Sequence, residues 1–149
     1  MSRTVDVLII GTEPPCPRCD LLDVFVAKVT PPDVQVNVEH CAFDSPSAQR
    51  LGERLGCKVG TAKHVARDAD IPMDWNAVYG VIDAKKSSFR PDARPADTWT
   101  PELDELLRPC EEVAEPMGYL MTPVLVINGK VVHHGSVPSQ EKVASWLSE

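Results

Sequence analysis

The first part of the chain shows apolar patterns that change from strand to helix and back to strand. Residues 5–10 are almost continuously apolar, which is typical of a strand buried on both faces. Apolar residues recur at helical spacing over 20–29, and Pro31-Pro32 ends this predicted helix. Over 34–38 valines alternate with polar residues, which indicates a strand with one solvated face. The three segments therefore predict a βαβ unit with a parallel strand pair.

The last part of the chain carries the clearest pattern. An apolar run at 124–127 and a β-prone run at 130–134 are separated by Asn128-Gly129. Asn-Gly in this position predicts a hairpin, because both turn residues need a positive φ. A final helix is predicted over about 138–147, with Val143, Trp146 and Leu147 on one face.

The middle of the chain predicts several short helices. One is capped by Asp44 or Ser45 and stops at Gly56, with Ala48, Leu51 and Leu55 on one face. A second covers 61–69. A third opens at Thr100-Pro101, and Pro109 is expected to kink or end it.

A polar surface loop is predicted between the second and third of these helices, over 83–100. With 149 residues, 43% hydrophobic and 25% charged, we expect a single globular α/β domain over 1–149. Residues 44–116 would form a helical and loop insertion within it.

The net charge and the cysteine content limit the possible partners and the compartment of the protein. The formal net charge of −7 argues against nucleic acid or an anionic membrane as the main partner. No apolar run is long enough to span a bilayer, and the amino terminus does not have a signal-peptide pattern. Five cysteines, an odd number, suit a reducing compartment. We therefore expect the protein in the cytoplasm.

The candidate chemistry lies at Cys16-Pro17-Arg18-Cys19, where the first strand passes into the first helix. Two cysteines at this spacing in an α/β pattern predict a redox dithiol. The unpaired N–H groups and the dipole at a helix start favour a thiolate at Cys16, whereas Cys19 is expected to be partly covered. Cys16 would attack a disulfide, and Cys19 would resolve the mixed disulfide.

The two residues between the cysteines are predicted to tune this dithiol. Pro17 starts the helix without losing a hydrogen bond, and Arg18 places a cation beside the sulfurs, which lowers the thiol pKa. A zinc half-site or a soft-metal (zinc or copper) carrier that uses the same two cysteines is the alternative. It would need further ligands, and no second C-x-x-C follows.

The remaining cysteines and histidines give weaker signals. Cys41, Cys57 and Cys110 are expected to be small buried apolar residues, and a second redox pair of Cys57 with Cys110 is the sharper hypothesis. His133 and His134 should point to opposite faces of one strand, which speaks against a shared metal site.

The C-P-x-C turn, Thr122-Pro123, the Asn-Gly hairpin and the closing helix together resemble the thioredoxin-like superfamily. The resemblance covers 5–41 and 117–147. It implies a sandwich with a mixed sheet of about four strands and helices on both faces. It also implies that Thr122-Pro123 is a cis peptide bond facing the dithiol, where the backbone of Thr122 would bind an extended stretch of substrate.

The sequence departs from thioredoxin proper in two places. Pro15 precedes Cys16, and Ile10 occupies the position of the buried Asp that thioredoxins place beneath the second cysteine. Glu13 or a water molecule could substitute in proton transfer. The run Val-Ile-Asn-Gly-Lys-Val-Val at 126–132 is similar to that of small microbial redox-disulfide proteins.

These features together predict a thiol-disulfide oxidoreductase that reduces disulfides in protein partners. An external electron donor similar to thioredoxin reductase would recharge the Cys16/Cys19 pair, and no bound cofactor or metal is expected. Besides the metal carrier, a partner-specific recognition module on a thioredoxin-like scaffold remains an alternative.

Overall fold

The computed structural model describes residues 3–12, 16–86 and 94–148. Its elements, in chain order, are β1 (Arg3–Gly11), α1 (Pro17–Val29), β2 (Val34–Ala42), α2 (Pro46–Leu55), β3 (Lys58–Gly60), α3 (Ala62–Ala69), α4 (Trp75–Lys86), a 3₁₀ turn (Pro95–Thr98), α5 (Pro101–Ala114), β4 (Tyr119–Met121), β5 (Val124–Ile127), β6 (Lys130–His134) and α6 (Gln140–Ser148). Among the described helices none combines the length and the hydropathy needed to cross a membrane.

A four-stranded mixed sheet of order β2-β1-β5-β6 forms the centre of the fold. β1 runs parallel to β2 and antiparallel to β5, so the predicted βαβ unit is confirmed. β5 and β6 form the predicted antiparallel hairpin. Its turn residues Asn128 and Gly129 have φ of 50° and 81°, the positive values that the Asn-Gly pair indicated.

Helices cover both faces of this sheet, because β1 is apolar on both sides. Val5, Val7 and Ile9 pack against α1 and α6 on one face. On the other face Ile10 packs with α2 through Leu51. The predicted fold class, a mixed sheet of about four strands between helices, is thus confirmed. Each large apolar side chain buried in these layers contributes roughly 1.5–3 kcal/mol.

A third apolar cluster joins a helical layer, by which we mean α3, α4 and α5, to β4. It includes Val65, Val78, Leu103 and Leu107 from these helices and Met121 from β4. Beside it, β3 and β4 pair in parallel as a separate two-stranded sheet. The sequence patterns did not predict these two strands.

The helix α2 begins and ends as predicted. Ser45 caps it, with its Oγ accepting from the Ala48 N–H at 3.3 Å, and Gly56 ends it in a left-handed conformation with φ of 71°. The expectation that Leu55 lies on the buried face is wrong: its side chain is 48% exposed. Leu55 is the last helical residue, where the chain already turns towards β3.

The sequence patterns did not predict α4, and the helix that opens at Thr100-Pro101 needs a correction at its end. α4 continues to Lys86, so the first residues of the predicted 83–100 loop are helical, and Pro95–Thr98 forms a 3₁₀ turn. Residues 87–93 of that loop lie outside the described residues. Pro109 does not end α5, which runs through it to Ala114.

Candidate active site: a dithiol at the start of α1

The two cysteines of the motif meet at the first turn of α1. Cys16 is the N-cap residue with extended backbone, φ −75° and ψ 167°. Its Sγ accepts a hydrogen bond from the Cys19 N–H at 3.4 Å and lies 3.0 Å from the Cys19 Sγ. Both cysteines are free thiols. The helix therefore presents one sulfur at its cap and holds the other within reach of it.

The surroundings of Cys16 favour its thiolate. Its pKa falls from the ordinary 9.0 to about 6, chiefly because the Cys19 thiol donates a hydrogen bond to it. The Cys19 backbone N–H and the charge of Arg18 lower the pKa further, while burial opposes them.

Cys19 has the opposite character. It is 1% exposed, and its pKa is raised because its proton bonds Cys16, because it is buried, and because the Cys16 charge lies beside it. Gly11 at the end of β1 makes this position possible, since a Cβ there would lie 2.4 Å from the Cys19 Sγ. Sequence reasoning missed Gly11, although a glycine that closes a buried strand was a signal for close approach.

Arg18 is buried, with only 5% of its surface exposed. Its Nε lies 2.8 Å from Asp104 Oδ1 of α5, and its guanidinium donates to the Gly135 carbonyl. The other oxygen of Asp104 accepts from the Val137 N–H at 3.2 Å. Arg18 is thus both a cation near Cys16 and an anchor of α1 to the helical layer. The sequence did not single out Asp104.

A second polar anchor ties α1 to the 3₁₀ turn. Asp20, which is 6% exposed, accepts from the Ala96 N–H at 2.9 Å and from Arg94 Nε at 3.1 Å. Arg94 also reaches Asp23 at 3.2 Å. These carboxylates raise the pKa of Arg94, with the Asp20 hydrogen bond as the largest cause. The sequence patterns did not reveal that Arg94 is the partner of Asp20 and Asp23.

The Thr122-Pro123 peptide bond is cis. Thr122 is buried and lines the same cavity as Cys16. Its N–H donates to the Gly60 carbonyl at 2.9 Å, which continues the β3–β4 pairing, and the Pro123 carbonyl accepts from the Gly135 N–H at 3.1 Å. The backbone donor of Thr122 is therefore already bonded within the protein.

That cavity, which we call the Cys16 groove, has a volume of about 290 Å³. Its walls come from α1, from the loop before β5 and from all three helices of the helical layer. Its lining residues are Thr12, Cys16, Pro17, Arg18, Thr61, Ala62, Lys63, Trp75, Val78, Tyr79, Ile82, Leu103, Leu107 and Thr122. Sequence reasoning did not identify Trp75 and Tyr79 as residues beside the dithiol.

The thioredoxin proton-relay position contains no carboxylate here. Ile10 is fully buried in the apolar cluster under α2. Glu13, the predicted substitute, lies outside the described residues.

The other three cysteines are free thiols as well. Cys110 is buried among the helices of the helical layer, and burial raises its pKa. Cys41 and Cys57 are half-buried and pack against the cluster under α2. Since Cys57 and Cys110 belong to different clusters, the structure does not favour the hypothesis of a second redox pair.

The paired histidines of β6 make separate contacts. His133 Nε2 lies 3.0 Å from Ser136 Oγ, and its ring lies against Trp146. His134 Nδ1 accepts from the Met121 N–H at 3.3 Å. Burial lowers the pKa of both. In the part of the chain that the structure describes, no three His, Cys, Asp or Glu side chains group as metal ligands would.

Comparison with known proteins gives one family match. The model of the thioredoxin domain family matches residues 105–148, from α5 to α6, which is less than half of the chain. No curated protein matches the chain.

Two solved structures show weak likeness. One is the oxidoreductase DsbA from Xylella fastidiosa, which is 17% identical; the match covers 97% of this chain and 84% of that chain, with a TM-score of 0.35. The other is a thioredoxin-like oxidoreductase from Silicibacter pomeroyi DSS-3, which is also 17% identical; the match covers 97% of this chain and 86% of that chain, with a TM-score of 0.33. At these TM-scores the likeness supports no inference about activity. The sheet order, the strand directions and the family match together confirm the predicted resemblance to the thioredoxin-like superfamily, and the chain has a thioredoxin-like fold.

Proposed function

We propose that this chain is a thiol-disulfide oxidoreductase that reduces disulfides in protein partners through Cys16 and Cys19. The asymmetry of the pair carries the proposal. Cys16 caps the helix with a pKa of about 6, and Cys19 is buried behind it with a raised pKa. A thiolate attacks disulfides, whereas a buried thiol stays protonated until it is needed.

The reaction takes two exchange steps. The Cys16 thiolate attacks one sulfur of the partner's disulfide; a Cys16–sulfur bond forms, the partner's S–S bond breaks, and the other partner sulfur leaves as a thiolate. Cys19 then loses its proton to that thiolate or to solvent and attacks Cys16 Sγ. The Cys16–Cys19 disulfide forms and the second partner thiol is released. The partner gains two electrons, and the dithiol loses two.

The reductase direction is proposed because the odd cysteine count suits a reducing compartment. A lowered pKa at the first cysteine occurs both in a reductant such as thioredoxin and in an oxidant such as DsbA, so the pKa of Cys16 does not choose between the two directions. An external donor similar to thioredoxin reductase would recharge the pair, and the cytoplasm would be the compartment, as expected from the odd cysteine count.

Substrate positioning is the role proposed for Thr122 and Pro123. Because the Thr122 N–H is bonded to Gly60, this role rests on the Thr122 carbonyl, which would accept from the backbone of an extended partner segment. The nearness of Thr122 and Cys16 in one groove supports the assignment.

Turnover with a disulfide-bonded test protein checks the proposal. Cys16→Ser should lower the reduction rate by at least about a thousandfold, because it removes the nucleophile. Cys19→Ser should accumulate a mixed disulfide between Cys16 and the test protein, detectable by mass spectrometry. Cys41→Ser, in a half-buried cysteine outside the groove, is the matched control and should turn over normally. Full activity in Cys16→Ser would overturn the proposal.

The reduction potential of the Cys16/Cys19 couple tests whether the protein acts as a reductant or as an oxidant. Equilibration with defined dithiol buffers, followed by trapping of free thiols, measures it. A value near or below about −270 mV supports a reductase, and a value near about −120 mV would make the protein an oxidant.

A further inference from the structure

The Cys16 groove has apolar walls that the thiol-disulfide exchange does not require. Its lining is mostly apolar, and many of the apolar side chains come from α4 and α5, among them Val78, Ile82 and Leu103. One wall residue, Tyr79, is 43% exposed. The two sulfurs and Thr122 account for the reaction, so these apolar walls have no role in the exchange itself.

The charged side chains among the described lining residues of the groove are both cations. Lys63 and Arg18 line it, and none of its described lining residues is a carboxylate, although the chain has a formal net charge of −7. Arg18 is paired with Asp104. Lys63 is exposed on α3, with its Nζ 4.7 Å from the Tyr79 ring centroid and 5.6 Å from that of Trp75. The groove is therefore an apolar surface with an accessible cation at its edge.

The size of the groove limits its occupant. Its volume of about 290 Å³ is at the low end of the roughly 300–1,000 Å³ of small-ligand pockets. One or two side chains of an extended segment fill such a space, whereas a helix or a folded element would not enter it.

We propose that the groove selects the partner by the residues next to its attacked cysteine: an apolar side chain that packs on Tyr79 and Ile82, followed by a carboxylate that pairs with Lys63. This inference deepens the proposed function and rests on it, because Cys16 is part of the groove. Arg18 is already paired with Asp104, so Lys63 is the residue that pairs with the carboxylate of the partner.

Four disulfide-bonded peptides of equal length test the proposal. Each has either Leu or Ser next to the cysteine and either Glu or Lys after it. Reduction rates are divided by the rate of the same protein with a small neutral disulfide, which reports the exchange chemistry alone. We expect the Leu-Glu peptide to be reduced at least about tenfold faster than the Ser-Lys peptide, a difference of about 1.4 kcal/mol.

Variants separate the two parts of the recognition. Lys63→Glu should reverse the preference between Glu and Lys peptides, and Tyr79→Ser should remove the preference for Leu over Ser. The control Lys142→Glu makes the same change of charge on α6, outside the groove, and should keep both preferences. Equal normalised rates for all four peptides, or reversal by Lys142→Glu as well, would overturn the proposal.

A binding measurement keeps this test apart from the test of the proposed function. Peptides with serine in place of cysteine are titrated against the reduced protein, followed by tryptophan fluorescence. Tighter binding of the Leu-Glu analogue supports the groove even if no disulfide is reduced, in which case only the proposed function fails. Equal affinity for the four analogues contradicts the proposed selection by the groove. Reduction of glutathione disulfide as fast as that of the best peptide would also overturn it, since that ligand has carboxylates but no apolar side chain.

Discussion

The sheet core and the helical layer contribute different parts of the candidate site. The core, through β1 and α1, supplies both sulfurs and the N–H groups around them. The helical layer and the 3₁₀ turn supply the groups that surround the sulfurs: Asp104 on Arg18, Arg94 on Asp20, and the walls of the Cys16 groove. The reactive pair and its lowered pKa thus depend on local structure, whereas the anchoring of Arg18 and the walls of the groove depend on tertiary contacts.

The contact between these two regions is where we expect a single substitution to lower the free energy of unfolding most. Asp104→Ala leaves the buried Arg18 guanidinium without its counter-charge, which should lower the free energy of unfolding by about 3–5 kcal/mol. Chemical denaturation measures this loss. Glu105→Ala on the same helix removes the exposed ion pair with Arg108 and should cost no more than about 1 kcal/mol. A loss at Asp104 as small as that of the control would show that the helical layer is not tied to α1 by this pair.

The thiolate itself should respond more to Cys19 than to Arg18, the residue of α1 that contacts the helical layer. The Cys19 thiol is the largest cause of the low Cys16 pKa, so Cys19→Ala should raise that pKa from about 6 towards the ordinary 9.0. Arg18→Gln removes a smaller contribution and should raise it less. The rate of alkylation at Cys16 rises with pH through its pKa, so a pH profile of this rate gives the pKa of each variant.

Arg108→Gln, at an exposed arginine of α5, is the control for Arg18→Gln and should leave the pH profile of alkylation unchanged. A larger shift in Arg18→Gln than in Cys19→Ala would reverse the comparison and assign the main tuning to the cation.

The same two regions differ in how far the sequence predicts them. β1, α1, β2 and the hairpin each carry a complete local signal: a continuous apolar run, a capped periodic segment, an alternation and an Asn-Gly turn. Cys16 and Cys19 were found for the same reason, since spacing and a helix start are local features.

The parts that the sequence could not predict depend on contacts between distant residues. β3 and β4 have three residues each, too few to show a period, and they exist because Lys58–Gly60 meets Tyr119–Met121. Asp104 is one of several acidic residues on α5, and nothing in the spacing of α5 marks it as the partner of Arg18. Leu55 was misplaced because periodicity alone does not show which end of a helix faces solvent.

A substitution in the core tests the packing behind the second sulfur. Gly11→Ala places a Cβ against Cys19 Sγ and Cβ, so the thiol side chain has to move, at a cost of about 1–3 kcal/mol. The displaced sulfur bonds Cys16 less well, so the Cys16 pKa should rise as well. Thermal denaturation and thiolate absorbance together measure the two effects.

Gly80→Ala, at a helical glycine where an added Cβ meets nothing within 4 Å, is the matched control for Gly11→Ala. It should be neutral or slightly stabilising by roughly 0.4–1 kcal/mol. Unchanged stability and an unchanged Cys16 pKa in Gly11→Ala would mean that the second sulfur does not need this contact.

The smallest expected effect lies where the 3₁₀ turn meets the core. Arg94 is half-exposed, with 52% of its side chain accessible, so solvent screens its ion pair with Asp20, and Arg94→Gln should cost only about 1 kcal/mol. The Ala96 N–H bond to Asp20 remains, which limits the damage further. Amide hydrogen exchange at Ala96 should nevertheless become faster, because the turn loses the ion pairs of Arg94 with Asp20 and Asp23. Arg67→Gln, whose pair with Asp68 lies on the surface of α3, should leave exchange at Ala96 unchanged. If exchange at Ala96 does not change in Arg94→Gln either, the backbone bond alone holds the turn against α1, and the arginine serves another purpose.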